Sequence, residues 1–90
     1  MSPRSRQDRP PALHELEAEV MSEVWLRGEC SVRDVMGSLN EQATKPRAYT
    51  TYMTIMVRLD RKGLLTRRRK GKADLYTPAL SREEYAERRS

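Results

Sequence analysis

Basic residues that suit nucleic-acid chemistry are concentrated between Thr44 and Lys72. This stretch holds ten Lys and Arg residues and a single acid, Asp60, although the whole chain of 90 residues carries a net charge of only +5. Most of the basic residues are arginine, whose planar guanidinium matches phosphate oxygens and guanine edges. The alternative is a solvated surface that only keeps a small protein soluble. A positive cluster confined to less than a third of the chain favours a polyanionic partner instead, and we predict nucleic acid.

The helix predicted over residues 48–62 lies in this basic stretch and has an unusual outer face. Its inner face is apolar and consists of Tyr52, Ile55, Met56 and Leu59. A solvated outer face normally carries Glu and Lys, but here it carries Thr, Met, Val and Tyr with Arg nearby, which are groups that read base edges and thymine methyls. We therefore predict that this helix enters the major groove of duplex DNA. The predicted contact residues are Arg47, Tyr49, Thr50, Thr51, Met53, Thr54, Val57, Arg58 and Arg61. For Arg58, an ion pair with Asp60 or with an acid of the first helix is the alternative.

Two short runs that favour β-structure, Leu64–Arg69 and Ala73–Thr77, flank Lys70-Gly71-Lys72. A turn that contains Gly between such runs predicts a β-hairpin with a basic tip, over residues 66–76. Placed against the DNA backbone, this hairpin supplies affinity that does not depend on base sequence. Its predicted contact residues are Arg67, Arg68, Arg69, Lys70 and Lys72. Because side chains alternate between the two faces of a strand, at most two of the three consecutive arginines can point at DNA.

Two helices are predicted before the basic stretch. Apolar residues spaced three and four apart predict the first over Leu13–Leu26, with Gly28 as its C-terminal cap. Ser31 followed by Asp34 resembles a capping box and opens a shorter helix that runs to about Asn40. Three helices followed by a basic hairpin is the order of a winged helix-turn-helix. The predicted fold class is therefore mainly α with a small wing of two or three strands.

The two ends of the chain differ from this domain. Residues 1–12 are rich in Pro and Arg and almost devoid of apolar side chains, so we predict a disordered basic arm. Ser81-Arg82-Glu83-Glu84 is a second capping-box pattern and opens a helix of which the sequence holds barely two turns, so we expect this helix to be truncated. The predicted division is thus an arm at 1–12, a DNA-binding domain at 13–79 and the start of a C-terminal helix at 80–90.

Several classes of protein are disfavoured. One His and one Cys, His14 and Cys30, are too few for a metal site, and no Gly-rich phosphate loop occurs, so we expect no catalytic residues, no metal and no cofactor. Cys30 is expected to be buried or half-buried in the link between the first two helices. No apolar run exceeds three residues, which excludes a membrane span and a signal peptide and favours a cytoplasmic protein. An RNA-binding or a protein-interaction winged helix is the alternative function.

Motifs along most of the chain also point to one family. The first two helices contain Leu16-Glu17, Glu19-Val20-Met21, Trp25 and Val32-Arg33-Asp34-Val35. The third helix and its continuation contain Ala48-Tyr49-Thr50-Thr51, Thr54-Ile55-Met56-Val57-Arg58-Leu59 and Lys62-Gly63-Leu64-Leu65. The hairpin contains Arg67-Arg68-Arg69-Lys70-Gly71-Lys72-Ala73 and Tyr76-Thr77-Pro78. Through these motifs, from Leu13 to about Pro78, the chain resembles the penicillinase-repressor family of bacterial transcription repressors, the BlaI, MecI and CopY type.

The resemblance implies a homodimeric repressor that binds a pseudo-palindromic operator through an N-terminal winged helix and dimerises through a C-terminal helical segment. In that family, repression is relieved by proteolysis in the β-lactam resistance systems or by copper in a related branch. The sequence departs from this pattern in two ways. The dimerisation segment and the cleavage region are absent after Ser90, and no cluster of Cys is present for copper. The helix at 80–90 is thus expected to be a truncated lead into the dimerisation segment. The resemblance therefore implies DNA binding but does not specify the inducing signal.

Overall fold

The computed structural model describes residues 14–89, and the arm predicted for residues 1–12 lies outside this range. The helices are α1 (Glu15–Arg27), α2 (Val32–Gln42), α3 (Tyr49–Arg61) and α4 (Arg82–Arg89). The strands are β1 (Cys30–Ser31), β2 (Leu65–Lys70) and β3 (Ala73–Pro78). The predicted fold class, three helices with a small wing, is confirmed, and the wing has three strands. Within the described range, no helix has the length and apolar character needed to cross a membrane.

Local sequence signals set the ends of α1 and α2. Gly28 adopts φ +82°, a conformation that costs glycine little, and its N–H donates to the carbonyl of Val24 at 2.7 Å. The hydroxyl of Ser31 accepts from the N–H of Asp34 at 3.1 Å, and the carboxylate of Asp34 accepts from the N–H of Ser31 at 3.0 Å. This reciprocal pair is the predicted capping box, and it fixes where α2 begins.

The apolar core of residues 14–89 lies where α1, α2 and α3 meet the sheet. The whole predicted inner face of α3 is buried, with Tyr52, Met56 and Leu59 fully inaccessible and Ile55 8% exposed. From α1, Val20, Met21 and Val24 pack into the same cluster. Because the inner face of α3 is committed to the core, its opposite face is left at the surface.

The sheet is antiparallel, with β3 in the centre between β1 and β2. Strands β2 and β3 pair from Leu65↔Pro78 to Lys70↔Ala73, so Gly71 and Lys72 form a two-residue turn. Gly71 has φ +62°, as the first central position of a type II′ turn requires. Strand β1 contains Cys30, which is expected from the sequence to lie in a link and instead pairs with Tyr76 of β3. Two residues are too few to show strand alternation in a sequence.

Helix α4 packs against α1 through its first turns. The ring of Tyr85 lies 5.7 Å from that of Trp25, and the guanidinium of Arg82 lies 4.9 Å above the Trp25 ring. The indole N–H of Trp25 donates to the carbonyl of Leu80 at 2.9 Å. The sequence led us to expect little burial here, and no residue of α4 is fully buried. These contacts nevertheless tie the start of α4 to the domain.

Candidate nucleic-acid interface

The outward surface of α3, called here the α3 face, carries most of the predicted contact residues. It consists of Tyr49, Thr50, Met53, Thr54, Val57, Arg58 and Arg61. Tyr49 and Met53 are 40% and 39% exposed, which is high for large apolar side chains of a small domain. Met53, Thr54, Val57, Arg58 and Arg61 line a shallow depression of about 320 Å³. The α3 face therefore offers methyl groups, hydroxyls and guanidinium groups side by side.

At the N-terminal end of α3 the N-cap side chain does not cap the backbone N–H groups, although the N–H of Thr51 donates to the carbonyl of Ala48 at 3.1 Å. Helices α2 and α4 begin with serine capping boxes, whereas α3 begins after Ala48, whose methyl side chain accepts no hydrogen bond. Uncapped N–H groups together with the helix dipole favour an anion such as a phosphate. Arg33 of α2 adds positive charge at this end, since its guanidinium lies 5.5 Å from the centre of the Tyr49 ring.

Asn40, near the end of α2, holds the segment that leads into α3. Its amide donates to the carbonyl of Arg47 at 2.8 Å, and its Oδ1 accepts from the N–H of Arg47 at 2.9 Å. The same Oδ1 accepts from the hydroxyl of Tyr52 at 2.8 Å, which satisfies a polar group on a fully buried residue. Asn40 thereby fixes the position at which α3 begins.

Glu17 of α1 holds the other end of α3. It is fully buried, and its two oxygens accept from the Nζ of Lys62 at 3.0 and 2.9 Å. The Nη1 of Arg58 lies 3.8 Å from its Oε2, so the ion pair with an acid of the first helix, named above as the alternative for Arg58, is present. Burial raises the pKa of Glu17, but the hydrogen bonds from Lys62 and from the backbone N–H of His14 outweigh it and leave that pKa below its ordinary value.

The β2–β3 hairpin, called here the wing, divides its three arginines between two faces. Arg67 and Arg69 pair in register with Tyr76 and Asp74, while Arg68 pairs with Leu75, so Arg68 lies on the other face. Arg68 makes a two-pronged ion pair with Glu29, with its Nη2 2.9 Å from Oε1. Its hydrogen bond to Glu29 lowers the pKa of that carboxyl. The alternation leaves Arg67 and Arg69 on one face, and Lys70 and Lys72 lie exposed around the tip.

Arg69 is exposed but has an intramolecular partner as well. Its Nη1 lies 3.2 Å from Oδ1 of Asp74, and its side chain is 66% exposed. A surface ion pair of this kind contributes little free energy in water. Arg69 can therefore exchange Asp74 and a long hydrogen bond of 3.4 Å to the Gly71 carbonyl for a phosphate at small cost. Arg68, in contrast, would have to give up a two-pronged ion pair with Glu29.

The sequence that folds into these three helices and the wing matches a known family over most of its length. Residues 13–90 match the family described as Penicillinase repressor. The chain belongs to this family. The resemblance found in the sequence is thereby confirmed.

Curated relatives of this penicillinase-repressor chain are longer than the chain itself. It is 30% identical over 81 residues to the Penicillinase repressor of Bacillus licheniformis, covering 89% of this chain and 61% of that protein. It is 40% identical over 73 residues to the Transcriptional regulator BlaI of Mycobacterium tuberculosis, covering 80% of this chain and 51% of that protein. The chain thus spans between half and two thirds of the length of these relatives.

Two solved structures share the fold. The DNA binding domain of the repressor BlaI, determined in solution, has a TM-score of 0.72 and 26% identity, covering 88% of this chain and 94% of that one. The monomeric form of Bacillus licheniformis BlaI in complex with the blaP half-operator has a TM-score of 0.68 and 27% identity, covering 86% and 92%. Both matches extend over the helices and the wing together.

The sequence located the α3 face and the wing but missed the residues that hold them. Thr51, Val57 and Arg47 were predicted as contacts and are half-buried. The roles of Asn40 and Arg33 were not predicted. An amide side chain near the end of a helix, just before a polar loop that contains Pro, is a signal for a side chain that binds the loop backbone. No local signal distinguishes Arg33, because its partner Tyr49 lies on another helix.

We expect the protein to lose stability in acid because of the buried Glu17. Because its pKa in the folded state lies below the ordinary value of 4.5, its stabilising effect is complete above that pH and is lost as the pH falls through the lowered folded pKa. We expect the free energy of urea unfolding to decrease between about pH 5 and pH 2. In Glu17→Gln we expect a loss of about 1–3 kcal/mol at neutral pH and a smaller further decrease in acid. Equal acid dependence in both proteins would contradict this expectation.

Proposed function

We propose that this chain is the DNA-binding part of a transcriptional repressor and binds duplex DNA sequence-specifically. In this proposal α3 lies in the major groove and the wing lies on the adjacent backbone. The observation that carries it is the α3 face, where hydroxyls, methyls and guanidinium groups are exposed on a helix whose other face is locked into the core. A solved structure with the same fold, that of Bacillus licheniformis BlaI, is a complex with a half-operator, which supports DNA binding by this fold.

Base reading is assigned to the centre of the α3 face and to Thr51 beside it. The hydroxyls of Thr50, Thr51 and Thr54 can donate or accept at base edges or phosphates, and the side chains of Met53 and Val57 can contact thymine methyls. Arg58 and Arg61 are assigned to guanine edges or phosphates. At the start of the helix, Arg47, the Tyr49 hydroxyl and the first backbone N–H groups are assigned to a phosphate.

The wing supplies affinity that does not depend on sequence. Arg67, Arg69, Lys70 and Lys72 are exposed and are assigned to phosphates. Arg68 belongs to this set in the sequence-based prediction, and its contribution requires release from Glu29. We therefore expect Arg68 to contribute less than its neighbours in the wing.

Dimerisation accompanies this function. One module of this size buries roughly 600–1,000 Å² on DNA, which gives modest affinity, whereas two modules on half-sites about one helical turn apart multiply specificity. The relatives extend well beyond the length that this chain spans. We infer that a full-length repressor forms a homodimer on a pseudo-palindromic operator through a segment that follows α4, and that it acts in the cytoplasm.

The proposal is tested by selecting duplexes from a random pool with the 90-residue chain. We expect one sequence class to be enriched, and we expect amide chemical shifts of α3 and the wing to change when the enriched duplex is added. Competition with an RNA duplex of the same sequence separates DNA binding from RNA binding. Chemical-shift changes confined to α1 and α4 would contradict the proposal.

The α3 face and the wing are expected to differ in what they contribute. Thr54→Ala removes a hydroxyl of the α3 face and should lower the affinity ratio between selected and random duplex by about five- to tenfold, since a base contact carries about 1–3 kcal/mol of discrimination. Arg69→Ala removes a phosphate ligand and should weaken both affinities alike. Fluorescence anisotropy on both duplexes gives the ratio. Equal loss of discrimination in the two variants would contradict the assignment of α3 to base reading.

A further inference from the structure

The carboxylate of Glu17 lies inside the domain yet reaches a side chain of the α3 face. Glu17 is fully buried on α1, and Arg58, whose Nη1 lies 3.8 Å from it, keeps 48% of its side chain exposed. Lys62 donates two hydrogen bonds to the same carboxylate. An ion pair with Glu17 thus links a guanidinium of the proposed DNA surface to the core.

We propose that Glu17 is a positioning residue that holds Arg58 in the orientation in which it contacts DNA, an inference that rests on the proposed function. The carboxylate attracts one side of the guanidinium, and the remaining donors of its fixed fork stay directed outward. The two hydrogen bonds from Lys62 offset the negative charge, so that the carboxylate does not repel phosphates. Because the N–H of His14 also donates to Glu17, the carboxylate itself is fixed by α1.

This positioning acts on discrimination between sequences more than on general affinity. An arginine that is already ordered loses less side-chain freedom on binding, which is worth about three- to tenfold in affinity at the site that it reads. Removal of the carboxylate also removes a negative charge, so affinity for an arbitrary duplex does not fall. When the Glu17 carboxylate is removed, we therefore expect weaker discrimination between sequences without weaker binding to arbitrary DNA.

The test compares Glu17→Gln with Glu15→Gln. Both substitutions remove one acid from the first turn of α1, but Glu15 is exposed and lies outside the contacts of Arg58. The probes are the duplex that the unmodified chain selects from a random pool and a scrambled duplex of the same composition. We expect the ratio of the two affinities to fall about three- to tenfold in Glu17→Gln and to stay unchanged in Glu15→Gln.

An Arg58→Ala background separates positioning from a general structural role. There, Glu17→Gln should no longer lower the ratio, because the side chain through which it acts is gone. An equal fall in both backgrounds, or an unchanged ratio in a folded Glu17→Gln, would overturn the inference.

If Glu17→Gln does not fold, the pair variant Glu17→Leu with Lys62→Met replaces it, since apolar replacement of both partners preserves a core better than removal of one. Selection of no duplex by the unmodified chain would overturn the proposed function itself, and this inference with it.

Discussion

The affinity of this protein for duplex DNA is expected to fall about 500-fold when the salt concentration rises from about 50 to 200 mM, given about five phosphate contacts. Each phosphate that a basic side chain neutralises releases condensed counterions, and added salt opposes that release. The five contacts correspond to exposed basic side chains that are available to phosphates: Arg61, Arg67, Arg69, Lys70 and Lys72. Titration of a labelled duplex at several salt concentrations measures the slope of log affinity against log salt.

Two variants show whether this slope comes from the wing. Lys70→Ala combined with Lys72→Ala should reduce the magnitude of the slope by about two, because each lysine is assigned one phosphate. Arg27→Gln removes a positive charge that is paired with Glu23 on α1, at 2.7 Å, and should leave the slope unchanged. Equal affinity of the unmodified protein at both salt concentrations would refute the assignment of these residues to phosphates.

Asn40→Ala is expected to destabilise the folded protein by about 2–4 kcal/mol, because it leaves one buried hydroxyl and two half-buried backbone groups without partners. The hydroxyl of the fully buried Tyr52 loses its acceptor, and the backbone N–H and carbonyl of Arg47 lose theirs together. This is a large fraction of the stability of a small domain. Urea unfolding followed by circular dichroism measures it. The affinity for the selected duplex should fall as well, because the start of α3 is no longer fixed.

Less drastic changes at the same site separate the three hydrogen bonds. Asn40→Asp keeps the acceptor for Tyr52 and Arg47 but loses the donor to the Arg47 carbonyl, so an intermediate loss of stability is expected. Tyr52→Phe removes a single hydrogen bond and should cost about 1 kcal/mol. Gln42→Ala, on the exposed surface at the end of the same helix, is the control and should change stability little. If Asn40→Ala matches this control, Asn40 does not hold α3 in place.

The elements that bear the proposed site were predictable because their signals are local. The apolar spacing that buries Tyr52, Ile55, Met56 and Leu59 also dictates which side chains of α3 face outward. A Gly-containing turn between two β-favouring runs was sufficient to place the wing. Strand β1 was not predicted as a separate element, since Cys30 and Ser31 form a strand only because β3 lies beside them.

What the sequence determined by itself is therefore the order of the elements, the composition of the α3 face and the basic character of the wing, together with the family. What only the tertiary structure decided is which charged groups are engaged within the protein. Arg68 and Glu29 are 39 residues apart, and Lys62 and Glu17 are 45 apart. Helical and strand periodicity act over a few neighbouring residues, whereas such pairs arise only after folding brings distant segments together.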